Sequence, residues 1–325
     1  MAVKLITSLA ASILMASFMQ QGQPIENERP VHSIPKESAV QMTPEESEKM
    51  NYGKYDIPPT LKAVLELDQE LQKQNISVYD GLGFYPSTED FRYFNTPSDV
   101  IPFGNIGVDG IHFGFLTDFG SVTDLENAPI VCVQPMDFDQ PTRIIANNLR
   151  EFLRINMTDQ ELFYNYFADE QDYLAQKQKW ESEYHPSPEE LIKEQTVEKL
   201  LMEKVSLPAV EAPFQYVQNV RTDREKKIVV NTQDKLGVVN SYPHDQGKTH
   251  AVFPVHKDKE IDLEQLKLYF QTATYASKLA LFRDVQMNFI LEDEEELRDL
   301  IVVEMVKMGL KDEARRIEPK KKNHH

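Results

Sequence analysis

Cysteine is almost missing from this chain. Cys132 is the only one in 325 residues, which excludes a disulfide framework and a thiolate metal cluster. It lies in Pro129-Ile130-Val131-Cys132-Val133-Gln134, a run that reads as a buried strand with an inert core thiol. Basic residues are also short, with 35 Lys and Arg against 53 Asp and Glu and a formal net charge of −18. Binding to a phosphate backbone needs a basic surface, so nucleic acid is not an expected partner. Such a charge keeps the chain in solution and would draw a basic protein. Long apolar runs are absent as well. The stretch Leu5–Met19 after Lys4 spans fifteen residues, short of the roughly 20 that cross a bilayer. Catalytic signatures are missing too: the chain has no glycine-rich phosphate loop, nucleophile elbow or zinc-binding helix motif.

What is present is a concentration of glycine. Seven of the twelve glycines fall between Gly81 and Gly120. The densest run is Phe103-Gly104-Asn105-Ile106-Gly107-Val108-Asp109-Gly110-Ile111-His112-Phe113-Gly114. Glycine alternates there with aromatic and β-branched residues, which predicts short strands joined by tight turns. Asp109-Gly110 is a pair favoured in two-residue hairpins, and Gly104, Gly107 and Gly110 are expected to be structural turn residues.

The chain divides into four stretches. Residues 1–49 are an apolar N-terminal segment and a polar linker carrying Pro24, Pro30, Pro35 and Pro44. Residues 50–157 read as an α+β domain. Pro58 and Pro59 lead a helix with Leu61, Val64, Leu65 and Leu71 on one stripe. Strands follow over 77–85, 99–103, 110–118 and 128–135, and a helix starts near Asp139 and Pro141. Helix, antiparallel strands, then helix is an α+β fold with a sheet flanked by helices. Residues 158–318 read as a second α+β region, mostly helical. Thr158 with Glu161, Ser187 with Glu190, Asp262 with Gln265, and Asp293 with Glu296 mark its helix starts. A β section is expected over 214–255. Residues 319–325 form a basic tail.

Candidate chemistry is sparse. Asp109, His112 and Asp118 lie within ten residues, and a histidine beside carboxylates is the material of a general base or a metal site. Strand alternation makes them turn and surface groups first. Asp137-Phe138-Asp139 begins like a calcium loop, but the later glycine and glutamate that such a loop needs are missing. A strand-to-helix turn accounts for it. His244, His250 and His256 have no cysteine beside them and no helix to align them. No cofactor and no metal is expected.

In order, the proline-led helix, the Phe103–Gly110 turn, the strand Ala128–Val133 and the apolar helix Ile144–Leu153 resemble the SUKH superfamily over residues 50–157. The chain departs from that pattern in lacking a clear Asn-Gly after the first helix and a full triple-glycine turn. The resemblance implies an α+β fold without enzymatic chemistry and a surface groove that binds a protein partner. Members include bacterial immunity proteins that neutralise toxins and fungal regulators of cell-wall synthesis. On this basis Asp109, His112 and Asp118 would line or border the groove, with Asp137 and Asp139 as further partner-binding groups, and the acidic surface would suit a basic toxin. A cytoplasmic location fits this reading. The alternatives are a housekeeping interaction protein, a hydrolase using Asp109, His112 and Asp118, and an exported or membrane-associated protein led by residues 5–19.

Overall fold

A computed structural model describes residues 43–239, 242–257 and 259–318 of the chain. The apolar segment Leu5–Met19 and the basic tail from residue 319 lie outside them. No helix among the described residues is long and apolar enough to cross a membrane.

The protein is α+β. Helix α1 (Pro44–Tyr52) starts with a capping box in which the Thr43 hydroxyl accepts from Glu46 N. Helix α2 (Pro59–Gln72) starts with a proline and buries Leu61, Val64, Leu67 and Leu71 on one stripe. The residues expected to open a strand at 77–85 instead form a short turn of helix, α3 (Tyr79–Leu82). Asp80 there accepts from Ser77 N and Oγ at 2.6 and 3.0 Å, a local bond that competes with strand pairing.

The sheet comprises β1 (Tyr85–Pro86), β2 (Val100–Asn105), β3 (His112–Leu116), β4 (Ile130–Val133) and β5 (Thr142–Ala146). The strands lie in chain order and every neighbouring pair is antiparallel. Asp109 and Gly110 have φ of 51° and 68°, the two positive values that a type I′ hairpin turn requires. Gly107 is also left-handed, at φ 77°. Gly104 is not a turn residue: it lies inside β2 next to a register shift, where an added Cβ would come within 2.5 Å of the Phe84 ring. Close approach of the ring, and not a bend, is what requires glycine there.

Both faces of the sheet are covered. Phe103, Phe113, Phe115, Cys132 and Ile145 pack with Phe152 of helix α4 (Leu149–Asp159) and the α2 stripe. Val100, Leu116, Val131, Val133 and Ile144 pack beneath Val220 of helix α8 (Pro213–Glu225) and Leu236. Burial on both faces erases the polar–apolar alternation that marks a half-exposed strand. That accounts for the helix expected from Asp139 and Pro141. Thr142–Ala146 form an edge strand whose adjacent Ile144 and Ile145 nevertheless serve opposite covered faces, and the helix begins only after Asn148, which caps Glu151 N at 3.0 Å. Of the apolar helix Ile144–Leu153, the first three residues are therefore strand.

Past residue 157 the chain adds α5 (Glu161–Tyr164), α6 (Glu170–Glu183) and α7 (Pro188–Lys204) before α8. Thr158 does not cap a new helix. It lies in the last turn of α4, and Gln160 keeps helical angles between α4 and α5. Leu162, Phe163, Tyr173, Val197, Leu201, Phe214 and Val217 join the same core as the sheet, so that core continues through the expected boundary at 157. Among the described residues, the β section expected over 214–255 forms no strand. Residues 214–220 are helix, with Pro213 in the first turn and Phe214, Val217 and Val220 at helical spacing. The only remnant of pairing among the described residues is one bridge, Val230 to Val238. Residues 250–255 hold their backbone through side chains of the next helices, with Ser277 Oγ accepting from Ala251 N at 3.1 Å.

Helices α9 (Leu263–Thr272), α10 (Tyr275–Met287), α11 (Ile290–Asp293), α12 (Glu295–Lys307) and α13 (Lys311–Ile317) complete the fold. They enclose a second apolar core built on Leu266, Leu279, Phe282, Val285, Leu297 and Met305. Phe119, from the loop after β3, reaches into this second core.

Candidate functional site: an aromatic and arginine cleft at the joint

Residues 90–99 run between the two cores. On one side α1 holds them: Ser47 Oγ accepts from Asp90 N at 2.8 Å, and Asn51 Oδ1 accepts from Arg92 Nη2 at 3.1 Å. On the other side α10 and α13 hold them. Gln286 Oε1 accepts from Ser98 N at 2.9 Å while its Nε2 donates to Thr96 O at 3.2 Å. Arg316 donates from Nη1 to Ser98 O and from Nη2 to Asn51 O, at 2.9 and 2.8 Å.

Beside this strap the two halves exchange buried charge. Arg283 Nη2 meets Asp99 at 2.5 Å and Asp118 at 3.4 Å. Arg224 pairs with both Asp118 oxygens, at 2.6 and 3.1 Å. Burial alone would lower the Arg283 guanidinium, but Asp99, Asp234 and Asp118 outweigh it and raise its pKa. Burial raises Asp99 despite Arg283. Burial, and then the charge of Asp234, pushes Asp284 up to about 7. Asp118, Phe119 and Gly120 all have positive φ, at 45°, 53° and 80°. L-residues adopt that region singly and at a cost on the order of 1 kcal/mol each. Here the Asp118 ion pairs and Phe119, with the Arg283 guanidinium 5.3 Å from its ring centre, hold the loop.

Next to this seam lies a cleft of about 620 Å³. One wall is Phe91, Arg92, Tyr93 and Phe94; the other is Phe289, Leu291, Glu292 and Arg298, with Arg316 from α13 also lining it. Its rim is aromatic. The Phe94 and Phe289 rings are 4.7 Å apart, and Phe138 lies 6.2 Å from Phe289 with Lys257 Nζ 5.1 Å from its own ring centre. Phe94 is 49% exposed, Phe138 61% and neighbouring Met136 67%. Phe289 has φ 61°, an outlier for a bulky residue at the lip of a cleft.

The structure separates the residues that the sequence pointed to. Asp109 is exposed at the hairpin turn. His112 is buried: its Nδ1 lies 2.7 Å from Gly110 O and its Nε2 3.1 Å from Thr96 Oγ1. A carbonyl only accepts, so Nδ1 carries the proton and Nε2 accepts from the threonine. Burial lowers this histidine to about 4, and its ring stacks against Tyr93 at 6.0 Å. It braces the cleft wall from behind. Asp118 is committed to Arg224 and Arg283. Neither His112 nor Asp118 is a surface binding group, because each sits in a layer where only protein reaches it. The three do not assemble as a catalytic set. Asp137 bonds Arg143 at 2.5 Å and accepts from Asp139 N and Gln140 N, and Asp139 is exposed. These two acids shape the turn that presents Phe138.

Cys132 is buried, and burial raises its thiol to about 12. Among the described residues, no group of three or more His, Cys, Asp or Glu side chains is placed to hold a metal ion. Of the three histidines at six-residue spacing, His250 bonds Thr274 Oγ1 at 2.8 Å, while His244 and His256 are exposed. Sequence reasoning missed Tyr93, Phe94, Phe138 and Phe289. The signal was there in Phe91-Arg92-Tyr93-Phe94, an aromatic cluster outside any strand, and in an apolar residue between Asp137 and Asp139.

No protein-family profile matches the chain, and no curated protein matches it.

Proposed function

We propose that the chain is a non-enzymatic protein-binding module whose contact surface is the aromatic cleft at the joint of its two cores. The observation that carries this is the ring cluster of exposed Phe94 and Phe138 with half-buried Phe289 beside a concave floor. Exposed aromatics beside a cleft are where binding energy concentrates in protein interfaces, and large apolar groups left in water are otherwise unfavourable. A role as an immunity-type protein that neutralises a toxin is the narrower form of the proposal, and a housekeeping scaffold is its broader form. Membership of the SUKH superfamily belongs to the same proposal. It is supported by the succession of a proline-led helix, an antiparallel sheet in chain order and a closing amphipathic helix. A cytoplasmic location is part of the reading too.

The test is photo-crosslinking in the chain's own cells, with p-benzoylphenylalanine replacing Phe94 and, as a control, Leu268, which is 62% exposed on α9. A discrete protein adduct from position 94 and none from position 268 is the expected result. Adducts of equal yield from both positions, or from neither, would remove the cleft as the contact surface.

A further inference from the structure

We infer that the cleft takes an acidic segment of its partner, a carboxylate next to an aromatic or large apolar side chain. This rests on the protein-binding reading above and adds the chemistry of the occupant. Arg298 donates from Nη1 to Leu291 O at 2.7 Å and to Glu292 O at 3.4 Å, and its Nη2 donates to no described residue. Arg316 gives both terminal nitrogens to backbone carbonyls. Carbonyls satisfy a guanidinium's donors without cancelling its charge. Among the described residues no carboxylate lies within ion-pair distance of either arginine; the lone carboxylate bonded in this group is Asp90, 2.7 Å from Arg92. Burial lowers Arg92 to about 10 in spite of Asp90, and the like charge of Arg316 adds to that. Glu313, Asp312 and Asp90 face Arg316 from further off, and burial still outweighs them and lowers it. Arg298, with no ion pair, and Arg316, whose buried charge its neighbours only partly offset, thus sit in the wall of a cleft whose rim is aromatic, on a chain with a net charge of −18.

A carboxylate in the cleft supplies the missing counter-charge with charge-assisted bonds, while Phe94 and Phe289 supply an apolar seat. A nucleic-acid strand offers anions and rings too, but it is long. Beyond the cleft it would run onto the surface of a chain with a net charge of −18. A short acidic motif has to face only the cleft lining, where Arg298 and Arg316 attract it and Glu292 and Glu318 oppose it.

The experiment is selection of a random peptide display library on the full chain. The enriched peptides are then measured as fluorescein conjugates by anisotropy against wild type, Arg298→Gln, Glu292→Gln and Phe94→Ala. Oligothymidylate serves as the nucleic-acid probe, and circular dichroism checks each variant's fold. The expected peptides carry Asp or Glu beside Phe, Trp or Leu. Arg298→Gln weakens them by roughly tenfold, and Glu292→Gln, which removes a rim acid, tightens them by about twofold. That gain cannot come from misfolding. Apolar peptides without an acid that lose affinity in Phe94→Ala but not in Arg298→Gln overturn the acidic occupant and leave the protein-binding reading standing. Peptides indifferent to Phe94→Ala, or no enrichment at all, overturn both. Oligothymidylate binding lost in Arg298→Gln, or self-association lost in Arg298→Gln, overturns the inference in favour of nucleic acid or of a second copy.

Discussion

In the sheet-bearing half, a buried imidazole, that of His112, lies behind the cleft wall, held between a carbonyl and a hydroxyl and stacked on Tyr93. At the joint the buried groups are charged: Arg283 from the helical half and Arg224 of α8 face Asp99 and Asp118, with Asp234 and Asp284 close enough to shift the balance. The first arrangement is satisfied within one region. The second is satisfied in full only when the regions are docked, since Asp99 pairs with Arg283, which α10 brings from the second core, while Arg224 of α8 reaches Asp118 from within the first. A hydrogen-bonded neutral group needs no partner from elsewhere, whereas a buried charge left alone costs several kcal/mol. The seam therefore ties cleft geometry to docking, because Ser98, Thr96 and Gln286 sit between the ion pairs and the cleft wall.

The strongest way to break this contrast is Arg283→Met, which leaves Asp99 and part of Asp118 uncompensated. It is expected to destabilise the protein by about 4 kcal/mol in urea unfolding. Trp180, against Phe167 in the first core, then reports that core by fluorescence. In the variant its transition should separate from that followed by circular dichroism.

The pH dependence sharpens the contrast further, because the two halves oppose each other. Asp284 is raised in the folded state to about 7 from an ordinary 3.8. Between those values the folded state holds a proton that the unfolded state has released, so this group's stabilisation is present at low pH and is lost as pH rises toward 7. His112 is lowered to about 4 from 6.5. There the unfolded state takes up the proton first, so stability is lost as pH falls from 6.5 toward 4. Asp284→Asn should leave a stability that rises by up to about 3 kcal/mol from pH 4 to 6.5. His112→Gln should leave the opposite slope, falling across that range as Asp284 ionises. Urea midpoints across the range read both, and slopes of the same sign in the two variants would contradict the assignment. A smaller effect is expected at Ser187, where the capping box on α7 pairs Ser187 Oγ with Glu190 N at 3.2 Å. Ser187→Ala should cost about 1 kcal/mol without altering either slope.

How much was legible from sequence follows the same divide. The Asp109-Gly110 turn, the strands around it and the caps at Ser187 and Asp262 depend on neighbours in the chain, and all are present as expected. Thr142–Ala146 carries no strand signal in the sequence, because burial on both faces removes alternation. Residues 214–220 carry β-branched and aromatic residues that point to strand, while Pro213 and the helical spacing of Phe214, Val217 and Val220 decide for helix. For the site, Asp109, Asp137 and Asp139 are where turns need them, but His112 and Asp118 are not on a surface: residues 91–96 cover the first, and Arg224 of α8 with Arg283 of α10 the second. Neither the Asp118–Arg224 pair nor the Phe94–Phe289 contact leaves a local trace, since their members are more than a hundred positions apart.

The most direct measurement is hydrogen–deuterium exchange on the full chain with and without a peptide enriched in the selection. If the joint cleft is the binding surface, exchange slows together in residues 91–96 and 286–292, one segment from each wall, and is unchanged in residues 208–219 around the far side of α8. Protection confined to one wall, or appearing only around 208–219, would contradict the account.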